Sequence, residues 1–170
     1  MINDKIEKKI NIRKIKCAED YDAIYEITSQ SWKPIYDYRN SILDEKIFIS
    51  IYKDGPINKA EQVKKWCTEN TENVRVAEIG KKIVGFITWI YDNPAKGHVE
   101  LSNNAVTPSM QRMGIGLSMY NWFFKFIKKR GYLYVNVFTG LDPAHKGARK
   151  AYEKLGFGMS VGYVKYYKEL

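Results

Sequence analysis

Residues 106–116 read Val-Thr-Pro-Ser-Met-Gln-Arg-Met-Gly-Ile-Gly, and they combine a strand end, a turn and a helix start. A strand that reaches Pro108 must stop, because proline has no N–H for a sheet ladder. The chain then turns through Gln111, Arg112 and Met113 into a helix that opens with Gly114, Ile115 and Gly116. The first four N–H groups of a helix lack internal partners, and the macrodipole places about half a positive charge there. Two glycines let a ligand approach that backbone closely, and Arg112 adds a planar cation, so the stretch reads as a phosphate cradle. It is not a nucleotide P-loop, since no Gly-Lys-Ser/Thr follows. It is not the dinucleotide fingerprint either, because the third glycine and the later acidic residue are missing. Alone the pattern is common, so its surroundings decide what it means.

Upstream, HVELSNNAV (98–106) reads as a strand, preceded by VRVAEI (74–79) and KIVGFITWIY (82–91) joined by a hairpin turn at Gly80. An Asn93-Pro94 turn links the second and third of these. Downstream, apolar residues at 115, 119, 122, 123, 126 and 127 give helical spacing from Gly114 to Lys129. Arg130-Gly131 closes that helix, and YLYVNVFT (132–139) follows as a strand. Strand, helix and strand in this order form a crossover with two parallel strands. A second helix is expected from about His145 to Leu155, ending at Gly156, and GYVKYYKEL as a last strand. The N-terminal third reads as INIRKIKCA in a short strand, then a helix capped by Asp20 that Pro34 ends. Residues 35–70 read as helical pieces broken at Asp54-Gly55-Pro56, with starts at Ser41 or Asp44 and at Asn58.

Apolar residues make up 45% of the 170-residue chain, which excludes a disordered protein and fits a single domain, 1–170, with one sizeable core. No apolar run is long enough to cross a bilayer, and the first residues lack the apolar core of a signal peptide. Cys17 and Cys67 lack metal-ligand spacing and suit a reducing compartment, so a cytoplasmic protein without a metal is expected. The net charge is +9, and it is unevenly spread. Residues 111–154 hold nine basic and two acidic side chains, as suits a segment meeting a polyanion; a solvated basic face is the plainer alternative.

The order strand, VTP, QRMGIG, amphipathic helix, strand, ARKAYEKLGF resembles the GCN5-related N-acetyltransferase (GNAT) family. Its pyrophosphate loop, Gln/Arg-x-x-Gly-x-Gly/Ala, is met by Gln111, Gly114 and Gly116. Its later motif is met by Ala148, Tyr152, Gly156 and Phe157. The resemblance covers 97–157 closely, 74–96 fairly, and the earlier chain only in topology. It implies a mixed α/β fold with a sheet of six to seven strands, antiparallel and parallel, flanked by helices. It also implies transfer of an acetyl group from acetyl-CoA to a primary amine by direct attack in a ternary complex.

In the family two parallel strands splay and pantetheine lies between them. The resemblance therefore implies that backbone groups of Ala105 and Val106 bond the pantetheine. Amides from Arg112 through Met113, Gly114 and Ile115 to Gly116 would hold the pyrophosphate, with Gln111 opening the loop. Tyr152 would be the acid for the leaving thiolate; its plainer reading is an aromatic packed beside Ala148 and Leu155. Glu100 would be the general base, with a water relay as the competing route. Asn103 and Asn104 are unusual in a half-buried strand, and relatives carry an aliphatic residue where Asn104 stands. The pair either bonds the acceptor or a water chain, or marks a bulge. His145 occupies a slot where many relatives have asparagine, and with Ala148 and Arg149 it is assigned to the cofactor side; Asp142 is a helix cap. Trp32 and Tyr36 are candidate walls for the acceptor.

Acceptors in this reading are small amines or protein amino groups, with no nucleic acid or membrane partner, and a homodimer is left open. A same-fold acyl-CoA sensor without catalysis is the second reading. A nucleic-acid binder is the third, and it finds no recognition-helix or RNA-binding signature.

Overall fold

The computed structural model describes residues 10–93 and 97–169; the Asn93-Pro94 turn falls partly outside them. Its elements are β1 (Asn11–Arg13), α1 (Ala18–Ile42), α2 (Glu45–Tyr52), α3 (Gly55–Glu69), β2 (Val74–Ile79), β3 (Lys82–Asn93) and β4 (His98–Val106). They are followed by α4 (Ile115–Lys129), β5 (Tyr134–Val137) and α5 (Lys146–Lys154). The strands lie in the order β1-β2-β3-β4-β5, antiparallel except for the parallel pair β4 and β5. Gly80 and Lys81 both adopt positive φ, 55° and 71°, which gives the two-residue turn between β2 and β3 the twist a hairpin requires.

Each face of the sheet carries its own apolar layer. On one, Ile24 and Ile27 of α1 and Val63 and Cys67 of α3 meet Val74, Val76 and Phe86. On the other, Ile115, Met119, Phe123 and Ile127 of α4 meet Val84, Ile87, Trp89, Val99 and Leu101. Those α4 positions are the i, i+4, i+8 and i+12 residues of one stripe, so burial rather than propensity holds the helix. Among the described helices none is long and apolar enough to cross a membrane.

Several elements differ from the sequence expectation. Helix α1 runs through Pro34 to Ile42. Pro34 and Gln30 are both exposed, so the carbonyl that loses its N–H partner faces water and the helix continues. Asp20 is not its cap; Cys17 holds that position. Helix α3 begins at Gly55, with Asp54 at the N-cap and Pro56 in the first turn, where a missing N–H costs nothing. Gly55 packs against the Tyr36 ring so closely that a Cβ there would overlap it, which explains the Asp54-Gly55-Pro56 break in packing terms. Strand β5 keeps only four of the eight residues expected.

The sheet has five strands among the described residues rather than six to seven. The tail, expected to end in a strand, makes no ladder. Tyr163 meets the Phe138 ring at 6.0 Å, and the Tyr167 and Tyr52 hydroxyls are 2.6 Å apart. The tail thus crosses from the end of β5 to α2, held by side-chain contacts instead of backbone pairing.

Strand β1 is tied to α1 by charge. Arg13 donates to both carboxylate oxygens of Asp20, at 2.6 and 2.9 Å, and to Glu78 at 2.8 Å. Asp20 is 4% exposed, and the Arg13 hydrogen bond outweighs burial and holds its carboxyl below the ordinary value. A lowered carboxyl pKa stabilises the fold above the unfolded value, and that stability is lost as pH falls through the folded value. Asp20→Asn is expected to cost about 1–3 kcal/mol at pH 7 by removing the charge from two part-buried hydrogen bonds of Arg13, which keeps Glu78 as a partner. Urea denaturation should show the gap from wild type narrowing as pH drops through the carboxylate range.

Candidate functional site

Strand β4 has two neighbours for half its length and one for the rest. Its pairing with β3 extends from Asn93↔His98 to Gly85↔Val106. Its pairing with β5 stops at Leu101↔Val137. Beyond Ser102 the β5 side is open, and a wedge separates the two parallel strands. Between Leu101 and Asn104 the register slips: β3 advances from Ile87 to Trp89 while β4 spans three steps. One extra residue in β4 is a bulge, and it inverts the facing of the residues after it. Strict alternation would put Asn103 on the Leu101 face. The bulge puts Asn104 there instead, towards α4 and α5.

Asn104 meets two buried tyrosines on that face. The Tyr120 hydroxyl donates to Asn104 Oδ1 at 2.7 Å, and Asn104 Nδ2 donates to Ser102 O at 3.0 Å and to the Tyr152 hydroxyl oxygen at 3.4 Å. The Ser102 carbonyl can only accept, which fixes the amide's orientation. Oδ1 then faces Tyr120, and Tyr152 receives a hydrogen bond while its own proton stays free. Tyr120 and Tyr152 are each 7% exposed, with rings edge to face at 5.9 Å. Burial raises the Tyr152 pKa, partly offset by the Asn104 hydrogen bond, and raises that of Tyr120 further. Both phenols are therefore protonated at neutral pH. Tyr120 does not stand out in the sequence because it sits inside an apolar helical run.

Below the wedge lies the helix entrance. Arg112 and Gly114 have positive φ, 64° and 83°, so the chain turns sharply and α4 begins with Gly114 as N-cap. No side chain caps it. The first internal bond runs from Ser118 N–H to Gly114 O at 2.9 Å, and the amides from Arg112 to Leu117 find no acceptor among the described residues. Ile115 is buried and Met113 packs on the core, which anchors the turn and leaves its amides outward. A Cβ at Gly116 would come no nearer than 3.9 Å to Tyr120 and Val106, so that position is bounded loosely by protein. Gln111 folds back, its Nε2 donating to Val106 O at 3.2 Å, and Ser31 Oγ of α1 reaches the same carbonyl at 3.4 Å. Arg112 is exposed. Free amides, a helix dipole and an open strand edge make an arrangement that can receive an anion continuous with an extended chain.

Loop 138–145 borders the open end of β5. Asp142 accepts from the His145 amide and contacts ring Nδ1 at 2.6 Å, leaving Nε2 as the free ring nitrogen. Gly140 is tightly held above them, since a Cβ would overlap both side chains. Burial would raise the Asp142 pKa, and the His145 hydrogen bond and charge bring it below its ordinary value. Arg149 Nη1 donates to the carbonyls of Gly140 and Asp142, so this guanidinium ties the loop to α5. Ala148 packs on the α4 layer.

Glu100 stands apart from Tyr152. It neighbours Asn136, whose Nδ2 is 3.5 Å from its Oε2, and its neighbours Val99 and Leu101 face α4, so Glu100 points to the α1 side of the sheet. Trp32 and Tyr36 line that side, with Trp32 on the same layer as Ala105. Tyr36 meets Tyr52 edge to face at 5.9 Å, and Tyr52 and Tyr167 extend the wall; neither stands out in the sequence. Among the described residues no group of three or more His, Cys, Asp or Glu could hold a metal. A groove of about 580 Å³ near Asp20, Gln30 and Thr107 lies off these residues.

The sequence profile of the Acetyltransferase (GNAT) family matches residues 21–157. The chain belongs to that family. An uncharacterised N-acetyltransferase of Methanocaldococcus jannaschii is 32% identical over 98 residues, which are 55% of this chain and 42% of that protein. The match thus spans less than half of that relative's length. The PaiA N-acetyltransferase of Thermoplasma acidophilum, solved with coenzyme A, superposes with a TM-score of 0.68 at 22% identity, covering 89% of this chain and 91% of that one. An aminoglycoside acetyltransferase from an uncultured soil metagenomic sample, solved with sisomicin, gives 0.62 at 18% identity, covering 97% and 99%. At these identities the structures establish the fold. The family's mixed sheet flanked by helices is the one seen here.

Asn104→Leu restores the aliphatic residue expected at this strand position but strands two buried hydroxyls. It should destabilise the protein by about 1–3 kcal/mol, while Tyr120→Phe, which removes one donor, should cost less. Thermal unfolding of the two variants measures the difference.

Proposed function

We propose that this protein is an N-acetyltransferase that moves an acetyl group from acetyl-CoA to a primary amine within a ternary complex. The observation that carries this reading is the wedge between β4 and β5, which opens directly above the free amides at the start of α4. The amides of Arg112 to Leu117 would hold the diphosphate, and Gly114 and Gly116 let it approach. The groups of β4 between Ser102 and Val106 that β5 leaves unpaired would bond the pantetheine arm as a neighbouring strand would. When bound, the donor supplies an acyl group already activated as a thioester.

The remaining work falls to side chains of this chain. Tyr152 is the acid that gives a proton to the departing sulfur. Burial keeps its phenol protonated, and Asn104 occupies its oxygen lone pair so that the O–H points into the wedge. Asn104 and Tyr120 act through Tyr152 and are positioning residues. An alkyl ammonium is roughly 0.1% neutral at pH 7, so a proton must leave before attack. Glu100 takes that proton from the α1 side of β4, directly or through water. An amide of β4 left without a β5 partner supplies the preorganised donor for charge that develops on the acyl oxygen. Acid and base thus act from opposite faces of one strand, with the transferred group at its open edge. His145, with Nδ1 held by Asp142, borders the pantetheine side through Nε2.

The amine enters between α1, α2 and the C-terminal tail, along Trp32 and Tyr36. A small-molecule amine is the acceptor in this reading, and a protein amino group is the broader alternative.

Acetyl-CoA-dependent release of free thiol with a panel of amines tests the activity. A silent panel with intact coenzyme A binding would make the protein a sensor instead of an enzyme. Gly114→Asp sets a carboxylate among the amides and should weaken coenzyme A binding by at least about 100-fold in calorimetry. Gly114→Ala, which strains φ without adding charge, should lose far less. Unchanged affinity in the aspartate variant refutes the cradle. Tyr152→Phe should lower kcat about 100-fold with coenzyme A affinity nearly unchanged; equal loss of both would assign Tyr152 to packing.

A further inference from the structure

The acceptor side holds two cations without carboxylate partners among the described residues, and the inference drawn from them rests on the acyltransferase reading. Arg39 of α1 lies over two rings, with its Cζ 5.1 Å from the Tyr36 centroid and 4.8 Å from that of Tyr52. Lys59 of α3 has its Nζ 5.6 Å from the Trp32 ring. Both are partly buried. Among the described residues, neither has a carboxylate within 4.0 Å. Asp37 pairs with Lys33, Asp44 caps α2 through Lys46 N, and Glu169 meets the Lys46 ammonium. Burial, and secondarily the charge of Arg39, lowers the Lys59 pKa, so the two cations feel one another. Lys165 adds a third, its Nζ 3.5 Å from the Tyr52 hydroxyl.

Like charges drawn together in a half-buried aromatic recess cost free energy unless an anion completes them. The recess also lies on the acceptor's route. Ser31, one residue before Trp32, reaches Val106 O at the open end of β4. Lys59 covers Trp32 itself, and Arg39 lies eight residues beyond Ser31 along α1, about 12 Å by helical rise. We propose that the acceptor amine carries an anionic group, a carboxylate or a phosphate, which Arg39 and Lys59 receive while the amine reaches the wedge. A diamino acid or a phosphorylated aminosugar has that chemistry, whereas a polyamine would bring a further cation towards both.

Matched amines that differ only in the anion test this on the full chain. Lysine against cadaverine isolates a carboxylate, and glucosamine 6-phosphate against glucosamine isolates a phosphate. In one pair kcat/KM is expected to favour the anionic member, and that preference should fall about 30-fold in Lys59→Met and Arg39→Met. Lys59→Arg keeps the charge and should restore it, which separates loss of the anion site from misfolding. Turnover without preference in either pair overturns the inference and leaves the acyltransferase reading standing. Calorimetry with coenzyme A-saturated protein supplies the converse. Binding of the anionic member that both Met variants weaken, with no turnover of any amine, supports the anion site and overturns the enzyme reading. Absence of both preference and binding in the two pairs overturns the site.

Discussion

A parallel pair that stops after four rungs is the constraint on which the site depends. A strand within a sheet ordinarily satisfies its amides on both edges, and an interior edge left open costs free energy for each unpaired group. Here β4 loses β5 at Leu101↔Val137 while keeping β3 to Val106. The cost is contained by making the opening short and by supplying local partners where it ends. Val106 O receives the Gln111 amide and the Ser31 hydroxyl, and Thr107 N–H bonds back to Val84 O at 2.9 Å. The groups left over lie on one strand edge and at one helix entrance, where a single extended ligand can meet both.

The bulge makes the opening chemically useful. Without the extra residue between Leu101 and Asn104, the amide of Asn104 would face α1, and Tyr152 would meet an asparagine one position earlier or an aliphatic residue. With it, three side chains from β4, α4 and α5 align as one chain of donors, Tyr120 to Asn104 to Tyr152. Its direction is imposed by the Ser102 carbonyl, which accepts and cannot donate. The same bulge leaves Glu100 before the slip and Ala105 after it, both on the α1 side. The turn of Asn104 towards both tyrosines is the consequence of that one insertion.

Local periodicity explains which parts of this are legible in the sequence. The β2–β3 hairpin and α4 can be read because their apolar residues repeat at two and 3.6, and the helix entrance because two glycines follow the turn at Pro108. The Asn103-Asn104 pair flags the bulge, yet its phase depends on how β4 pairs with β3, which is a long-range fact. A proline rule cuts helix α1 at Pro34, and only the fold reveals that Gln30 faces water. The tail reads as a strand because Tyr163, Val164, Tyr166 and Tyr167 are β-formers, but Met159, Val161 and Tyr166 remain largely exposed and the tail pairs with neither outer edge of the sheet, at β1 or β5. Tyr52, Lys59 and Tyr167 cannot be assembled from sequence at all, since α2, α3 and the tail meet only in three dimensions.

The uneven charge shows how cations counted together in sequence separate in space. Four of the nine cations in 111–154, Lys125, Lys128, Lys129 and Arg130, lie in the last turns of α4 or at its end. Those residues are about 16–24 Å from Gly114 at 1.5 Å per residue, roughly two to three Debye lengths in physiological salt. They suit the C-terminal dipole, and Arg130 rests 3.9 Å above the Phe126 ring centroid, so they serve the helix more than a ligand. Arg149 is directed at loop carbonyls. What remains near the cradle is exposed Arg112, with Lys146 and Lys150 on the outer face of α5. In the proposed reading, selectivity for a diphosphate comes mainly from oriented amides, whose partial charges are fixed in place and are not screened away as a mobile lysine is. On that physical basis the glycines at 114 and 116 say more about the ligand than the net charge does.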